Sequence, residues 1–510
     1  MTESTNNSAD TGRTPSMAAS LLVLVVMIVL ILMSVVLFGS EVADGALQVS
    51  MTLATLFALC VAFYYGFRGS VISDAILSGV NGTIGTVFVV LAIGTLIGAL
   101  YLSGTVAAIV YYGVAIVSAR FFYVTVFIIA SALTIMLGSS LTTVGAVGIA
   151  FVGLATIMGV SPAISAGAAV SGAIMGNKIA KISDTANLTV ASVGGLTIED
   201  HSRAVTRTAI PTAVISALLF LVLGLVGGST DGAADVAQVQ QTIAQYYNVS
   251  ILAFVPVILI FVLSALRFTA YLSLMIPAIL AVVLAAFTQH DLIVSLADQG
   301  VPYFAAVLQV GIDTFANGFH LNSGVDQLDT LFSGGGVASM LTTVWLILVA
   351  ASFGAITGYT GMLDRIVTPV INWCRGPASL VLVTMLTSIG LNLATADPYT
   401  SIVLGSRMFR DEYKKERLKP QLLTMSLADS GTTMSHIIPW NIHGALFAGT
   451  LGIATLQWAP FTFFAYLTPI VSFVMVYFYF LRKDKLPSDE DATQVYGAEP
   501  SQLPAPKQLA

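Results

Sequence analysis

Long uninterrupted apolar runs set the first limit on what this chain can fold into. Met17–Phe38, Ala209–Val226 and Pro460–Leu481 each approach the ~20 residues that an α-helix needs to cross a hydrocarbon core. In lipid every backbone N–H and C=O must be satisfied within the protein, so runs of this length predict spanning helices. Composition agrees: 56% of the 510 residues are hydrophobic and 9% charged, at a mean hydropathy of +0.91, against roughly 25% charged in soluble domains. The expected fold class is an all-α polytopic membrane protein. The first run does not read as a cleaved signal, because one basic residue, Arg13, precedes it and its length exceeds the ~7–15 apolar residues of a signal. It predicts a retained first helix.

A net charge of −6, with no basic face outside short loops, argues against a nucleic-acid partner. Cys60 and Cys374 lie far apart with no metal-ligand spacing and read as packing residues. Residues 1–16 and 487–510 are polar and too poor in apolar residues to fold alone, so they are expected to be disordered tails. There is no Gly-Lys-Ser/Thr phosphate loop, no Cys/His metal spacing, and no Ser/His/Asp set outside the interrupted helices described below. Neither enzymatic chemistry, nor ATP-driven transport, nor a cofactor is expected.

The chain also repeats itself. Asp74–Gly79 recurs as Asp329–Gly334, Ser103–Gly104 as Thr360–Gly361, Gly138–Thr143 as Gly390–Thr395, and Ile182–Asn187 as Leu427–Thr432, at offsets of 255, 257, 252 and 245 in the same order. Lys and Arg accumulate in cytoplasmic loops. That rule places Arg407–Lys419, the exit at Arg482, Lys483 and Lys485, and the His201, Arg203, Arg207 cluster inside. Gly228–Val249, with Asp231 and Asp235 and no Lys or Arg, belongs outside. The expected plan is two inverted repeats, 17–228 and 250–486, joined by an external linker at 229–249, with both tails cytoplasmic.

Each repeat is expected to hold a re-entrant hairpin followed by a broken helix. The hairpins are 121–159, with its tip at Gly138–Thr143, and 378–408, with its tip at Asn392–Asp397. The broken helices are 162–196, interrupted at Ile182–Asn187, and 421–456, interrupted at Asp429–Asn441. The whole amounts to about 10 spans plus two hairpins. Interrupted backbone is tolerated at membrane depth where it lines a cavity, and secondary transporters build midplane sites this way.

An ionisable group inside a span costs roughly 2.5–3.5 kcal/mol on insertion scales, so its presence points to a function or a partner. Asp184 and Asp429 take matching places in the two interruptions. Ser183, Thr185 and Asn187 flank the first, Ser430, Thr432 and Thr433 follow the second, and Ser140, Thr142, Asn392 and Thr395 lie at the hairpin tips. Hard cations take such oxygen ligands, and a carboxylate also binds a competing proton. The set predicts a cation site at Asp184 and Asp429. The alternative for either aspartate is helix N-capping. Asp397, before Pro398, reads equally as a cap or a ligand. Lys178 and Lys181 shortly precede Asp184 and read as snorkelling residues or as its partners. Asp429 would then hold the less compensated charge. His436 and His443 read as hydrogen-bonding residues or as a proton relay.

Ser183–Leu188, Asn392–Asp397, and Asp429–Thr432 followed by Ile438–Asn441 resemble the signatures of NhaC-type sodium/proton antiporters, within the ion-transporter group of elevator carriers. The resemblance runs over most of the chain and is densest in Ser139–Val147, Gly176–Ala191, Ser333–Gly354 and Gly390–Gly452. It implies exchange of sodium for protons by alternating access in a bacterial inner membrane, with sodium as substrate. A coupled carrier of a small carboxylate or amino acid is the alternative, and an organic substrate and a homodimer stay open. Where the family usually reads Gly-Asp-Lys with a proline shortly after, this chain has Gly176, Asn177, Lys178 and then Lys181. One carboxylate fewer and one ammonium more make Asn177 and Lys181 expected modulators of the site.

Overall fold

The computed structural model describes residues 12–39, 42, 45–227, 236–324, 329, 331–371, 374–481 and 484–496, and among them only two isolated β-bridges interrupt an all-helical fold. The first half comprises α1 (Met17–Phe38), α2 (Ala46–Tyr64), α3 (Gly69–Leu102), α4 (Thr105–Ile116), α5 (Phe122–Leu137), α6 (Ser140–Ile157), α7 (Pro162–Ile179), α8 (Asp184–Val193) and α9 (Ile198–Gly227). After α10 (Val236–Tyr246), the second half holds α11 (Val255–Ala265), α12 (Ala270–Thr288), α13 (Tyr303–Asn317), α14 (Leu341–Tyr359) and α15 (Met362–Ile371). It continues with α16 (Pro377–Thr395), α17 (Pro398–Lys415), α18 (Pro420–Leu427), α19 (Ile442–Leu451), α20 (Phe463–Phe480) and α21 (Asp489–Tyr496). Among the described residues, ten helices are long and apolar enough to cross a membrane, and α5, α6 and α16 are three of them.

Local backbone chemistry explains where the chain turns after α5 and after α16. Gly138 adopts the left-handed conformation (φ 70°) that ends α5, and Ser139 then caps α6 by accepting the Thr142 N–H at 3.2 Å. Ala396 (φ 57°) ends α16 in the same conformation, and Asp397 caps α17 through the N–H groups of Tyr399 and Thr400. Pro162 and Pro420 both stand at the first position of their helices, where a missing N–H costs nothing. Ser183 and Asn441 both cap the helix that follows a break. These four pairs (138 and 396, 139 and 397, 162 and 420, 183 and 441) share a single spacing of 258 positions.

That constant spacing differs from the motif-based offsets, which ran from 257 down to 245. Residue identity misled because a cap can be Ser, Asp or Asn, and a left-handed helix end can be Gly or Ala. The breaks shift accordingly. The first runs from Ala180 to Ser183, so Asp184 opens the next helix rather than lying within the interruption. In the second, α18 continues through a π-turn at Ala428–Thr432 and a last turn to Ile437, and helical geometry ends only at Ile438–Asn441. Asp429 therefore precedes its break whereas Asp184 follows its own. By the common spacing Asp429 corresponds to Ser171.

Small residues set how closely the central helices approach. A Cβ on Gly176 of α7 would stand 2.6 Å from the Ser131 carbonyl of α5, and one on Gly172 would collide with the Phe127 carbonyl. Glycines four apart let two helix backbones touch, as in membrane helix pairs generally. Around this pair the helices cross reciprocally: α8 packs on α17, the second arm of the later hairpin, and α19 packs on α6, the second arm of the earlier one. On the periphery α3 packs on α12 and α14, and α14 packs on α2.

The basic loops gather at one end, where Arg207 and Lys419 meet Asp484 at 3.3 and 3.4 Å and Arg417 meets Asp489 at 3.5 Å. Residues 487–510 are not wholly a tail. Within them α21 packs on α17, with Ala492 and Tyr496 buried and the Tyr496 hydroxyl donating to the Leu418 carbonyl at 2.8 Å. Those two side chains supply the apolar contact that a tally of polar residues overlooked. Residues 1–11 and 497–510 of the expected tails, and 229–235 of the expected linker, lie outside the described residues; the rest of the linker includes α10, which packs on α4.

Candidate ion-exchange site

The most deeply buried charges in the fold meet where α7, α9 and α18 converge. Beyond α18 the chain widens into its π-turn, with the Ser430 hydroxyl donating to the Ser426 carbonyl at 2.6 Å and Thr433 to the Asp429 carbonyl at 2.9 Å. Hydroxyls that bond back along a helix loosen it, and such bulges recur at functional positions. Gly431 seats the bulge on α16, since a Cβ there would collide with the Ser388 hydroxyl. The Asp429 side chain is thereby turned toward α7.

Lys178, in the last turn of α7, answers it. Its Nζ lies 2.7 Å from Asp429 Oδ1, the side chains being 3% and 0% exposed, and it donates to Thr208 Oγ1 of α9 at 3.1 Å. The expectation that Lys178 tempers Asp184 and leaves Asp429 uncompensated is overturned. The chain turns at Ala180–Ser183, so side chains close in sequence diverge in space. Lys181 likewise points to the surface, exposed and 3.7 Å from Glu199.

Beside the pair is a small cavity of about 10 Å³, the room of one water molecule. Asn177, Lys178, Thr185, His201, Thr432 and His436 line it. Charge engages Asp429 Oδ1, whereas Asp429 Oδ2, Asn177 Oδ1 and Thr432 Oγ1 are buried with no hydrogen-bond partner. Unpaired buried oxygens cost free energy, so those of Asn177 and Thr432 on this cavity, with that of Asp429 in the pair beside it, point to an occupant that they would coordinate. A carboxylate, an amide and a hydroxyl suit a hard monovalent cation. Among the described residues no group of three or more His, Cys, Asp or Glu gathers, as a transition metal would need.

The other expected site residues fall elsewhere. Thr185 receives the Asn177 amide at 3.2 Å and lies 3.0 Å from the Ser183 hydroxyl, which caps α8. Asp184 is exposed, accepting the Thr185 N–H at 2.8 Å and the Tyr399 hydroxyl at 2.6 Å. Asn187, also exposed, donates to the carbonyls of Ser183 and Lys181. Thr142 bonds to Ser139, and Ser140 Oγ stands 3.4 Å from His436 Nε2. Asn392 accepts the Asn441 amide at 3.2 Å, tying α16 to the second break. Thr395 donates within its own turn, and Asp397 spends both oxygens on capping α17 while lining a cleft of about 320 Å³ against α3 and α14. The Ser430 hydroxyl is spent on the helix. His436 and His443 stack with ring centres 4.5 Å apart, and the Ser435 hydroxyl bridges them at 3.3 and 3.1 Å.

Sequence reasoning missed His201, Thr208, Tyr399 and Ser435. His201 had been assigned to a cytoplasmic loop, yet it is 1% exposed. The available signal was helical spacing: His201, Val205, Thr208 and Thr212 recur along one buried face of α9.

Comparison with known proteins bears on what this geometry serves. A family model for the Na+/H+ antiporter family matches residues 182–480. The chain is 29% identical to the Na(+)/H(+) antiporter NhaC of Alkalihalophilus pseudofirmus over 458 residues, 90% of this chain and 95% of that protein. It is 30% identical to the arginine/ornithine antiporter ArcD of Halobacterium salinarum over 91% of this chain and 93% of that one. The malate-2H(+)/Na(+)-lactate antiporter of Bacillus subtilis is 26% identical over 89% and 94% respectively.

Proposed function

Because the chain belongs to the Na+/H+ antiporter family, we propose that it exchanges sodium for protons at the Lys178–Asp429 pair. The observation that carries this is the buried ion pair, with Asp429 Oδ2 unpartnered, beside a cavity of ion size that Asn177 and Thr432 line, each with an unpartnered oxygen of its own. Sodium held by Asp429 Oδ2, Asn177 Oδ1 and Thr432 Oγ1 takes over the neutralisation that the ammonium supplies when the site is empty. Two cations beside one carboxylate in a dry interior are unfavourable, so Lys178 releases its proton as sodium arrives. Charge balances: one sodium enters, one proton leaves Nζ, and the site stays neutral. The reverse exchange on the opposite side restores the pair.

We read the two halves as inverted repeats, each with a re-entrant hairpin and a broken helix, which is how alternating-access carriers frame a midplane site. The single 258-residue spacing and the reciprocal crossing of α8 and α19 support this. The end where Arg207, Arg417 and Lys419 gather is then cytoplasmic, with both termini, in a bacterial inner membrane. Asp184, tethered to Tyr399, lies at the lip of the site rather than within it.

The test is transport by purified protein in vesicles carrying a pH gradient. Sodium alone should dissipate the gradient, and Asp429→Asn should not respond. No response of the unaltered protein to any alkali cation, beside a response to small carboxylates or amino acids, would reject the assignment.

A further inference from the structure

Proton release from Lys178 needs a way out of a buried site, and one side of the cavity offers it. His201 lies in the first turn of α9, 1% exposed, with its ring on the cavity that Lys178 and Asn177 line. Its Nδ1 is buried without a hydrogen-bond partner. The same face of α9 carries Thr208, which the Lys178 ammonium touches at 3.1 Å. Two residues to either side of His201, Glu199 and Arg203 are exposed, so the turn of α9 that brings this ring to the cavity has its other face in solvent, at the end where the basic loops gather.

The second imidazole on the cavity, His436, is already committed: its Nδ1 meets Ser435 Oγ at 3.3 Å and the Thr433 carbonyl at 3.4 Å, and its Nε2 meets Ser140 Oγ at 3.4 Å. The titratable groups lining the cavity are thus Lys178 on α7, His436 beyond α18, and His201 itself, with Asp429 paired to Lys178 beside it, while Lys181 is held at the surface by Glu199.

We propose that His201 relays the exchanged proton between Lys178 and the solvent at the basic end of the molecule. The proposal rests on the Lys178–Asp429 pair being the exchange site. A water filling the cavity before sodium arrives links Nζ to Nδ1. The ring accepts one proton at Nδ1 as Nζ becomes neutral, passes one proton on to solvent, and ends uncharged; no other bond changes.

The experiment compares the unaltered protein with His201→Gln and His201→Ala in proteoliposomes, following sodium-driven proton flux against pH, and measures sodium binding to each purified protein by calorimetry. For both variants the expected result is sodium affinity within about twofold of the unaltered protein and a flux about tenfold lower. Added imidazole should restore flux in His201→Ala. Unaltered flux in His201→Gln overturns the relay. So does slow flux with lost sodium binding, which would mark His201 as structural, or slow flux that imidazole does not rescue. If the unaltered protein itself shows no sodium-driven flux, it is the exchange assignment that fails, before His201 is in question.

Discussion

Replacing Lys178 by methionine strips Asp429, which is 0% exposed, of its counter-ion while nearly preserving side-chain length. At 2.7 Å and an effective dielectric near 20, the attraction removed is about 6 kcal/mol. Set against the desolvation that the ammonium no longer pays, loss of one partner of a buried pair costs about 3–5 kcal/mol. Sodium should reverse much of it. A cation that binds only the folded state stabilises by RT ln(1 + [Na]/Kd), about 2.7 kcal/mol at a hundredfold excess over Kd. Thermal unfolding followed by tryptophan fluorescence, in choline and sodium buffers of equal ionic strength, reads this directly. Lys178→Met should melt well below the unaltered protein in choline and gain more from sodium than the unaltered protein does, where sodium must displace an ammonium. Lys178→Met with Asp429→Asn removes both charges and should recover stability without any sodium response. A single variant as stable as the unaltered protein in choline, or a double variant that still responds to sodium, would refute Asp429 as the seat of the cation.

Asp429→Asn should abolish sodium-dependent proton movement, while Asp184→Asn, altering an exposed carboxylate, should retain measurable flux in the same vesicles. Asn177→Asp puts a carboxylate on the cavity, in addition to Asp429 beside it, and should tighten sodium binding about tenfold, or about 1.4 kcal/mol, by calorimetry. Lys181→Pro breaks only an exposed contact to Glu199 and should leave sodium affinity unchanged, since such pairs contribute about 0–1 kcal/mol. Gly431→Ala drives a methyl into the Ser388 hydroxyl and should cost about 1–3 kcal/mol in thermal stability.

The spanning helices were legible in the sequence because apolar length alone specifies them, and the turns after α5 and α16 because Gly138, Pro398 and their capping neighbours are local signals. Asp429 was legible as an ionisable group inside a span, where its cost points to a function or a partner. Its partner was not, because nearness along the chain favoured Asp184 for Lys178, and only the turn at Ala180–Ser183 decides otherwise. His201 was hidden by its charged neighbours: Glu199, Asp200 and Arg203 make a loop-like composition, although they occupy the first turns of a helix whose other face is buried. Residue type revealed which groups were costly to bury. It did not reveal which faces they shared.

On the repeat and the site proposed above, the two halves share turn and cap positions and differ in chemistry, and that difference is what would let one site carry two cargoes. At the common spacing Asn177, Lys178 and Thr185 correspond to Ser435, His436 and His443, so both breaks bring polar side chains to the same region. Asp429 corresponds to Ser171, whose buried hydroxyl has no partner. Had chemistry followed the backbone symmetry, two aspartates would face each other, and an empty site would hold two uncompensated buried charges at several kcal/mol each. With one carboxylate and one ammonium the empty site is neutral. It is neutral again when sodium replaces the proton that Lys178 gives up. A carrier must reorient in both conditions, and what crosses the low-dielectric interior then has the same net charge each way. On that reading, sequence asymmetry between halves of matching turn positions would equalise the two crossings.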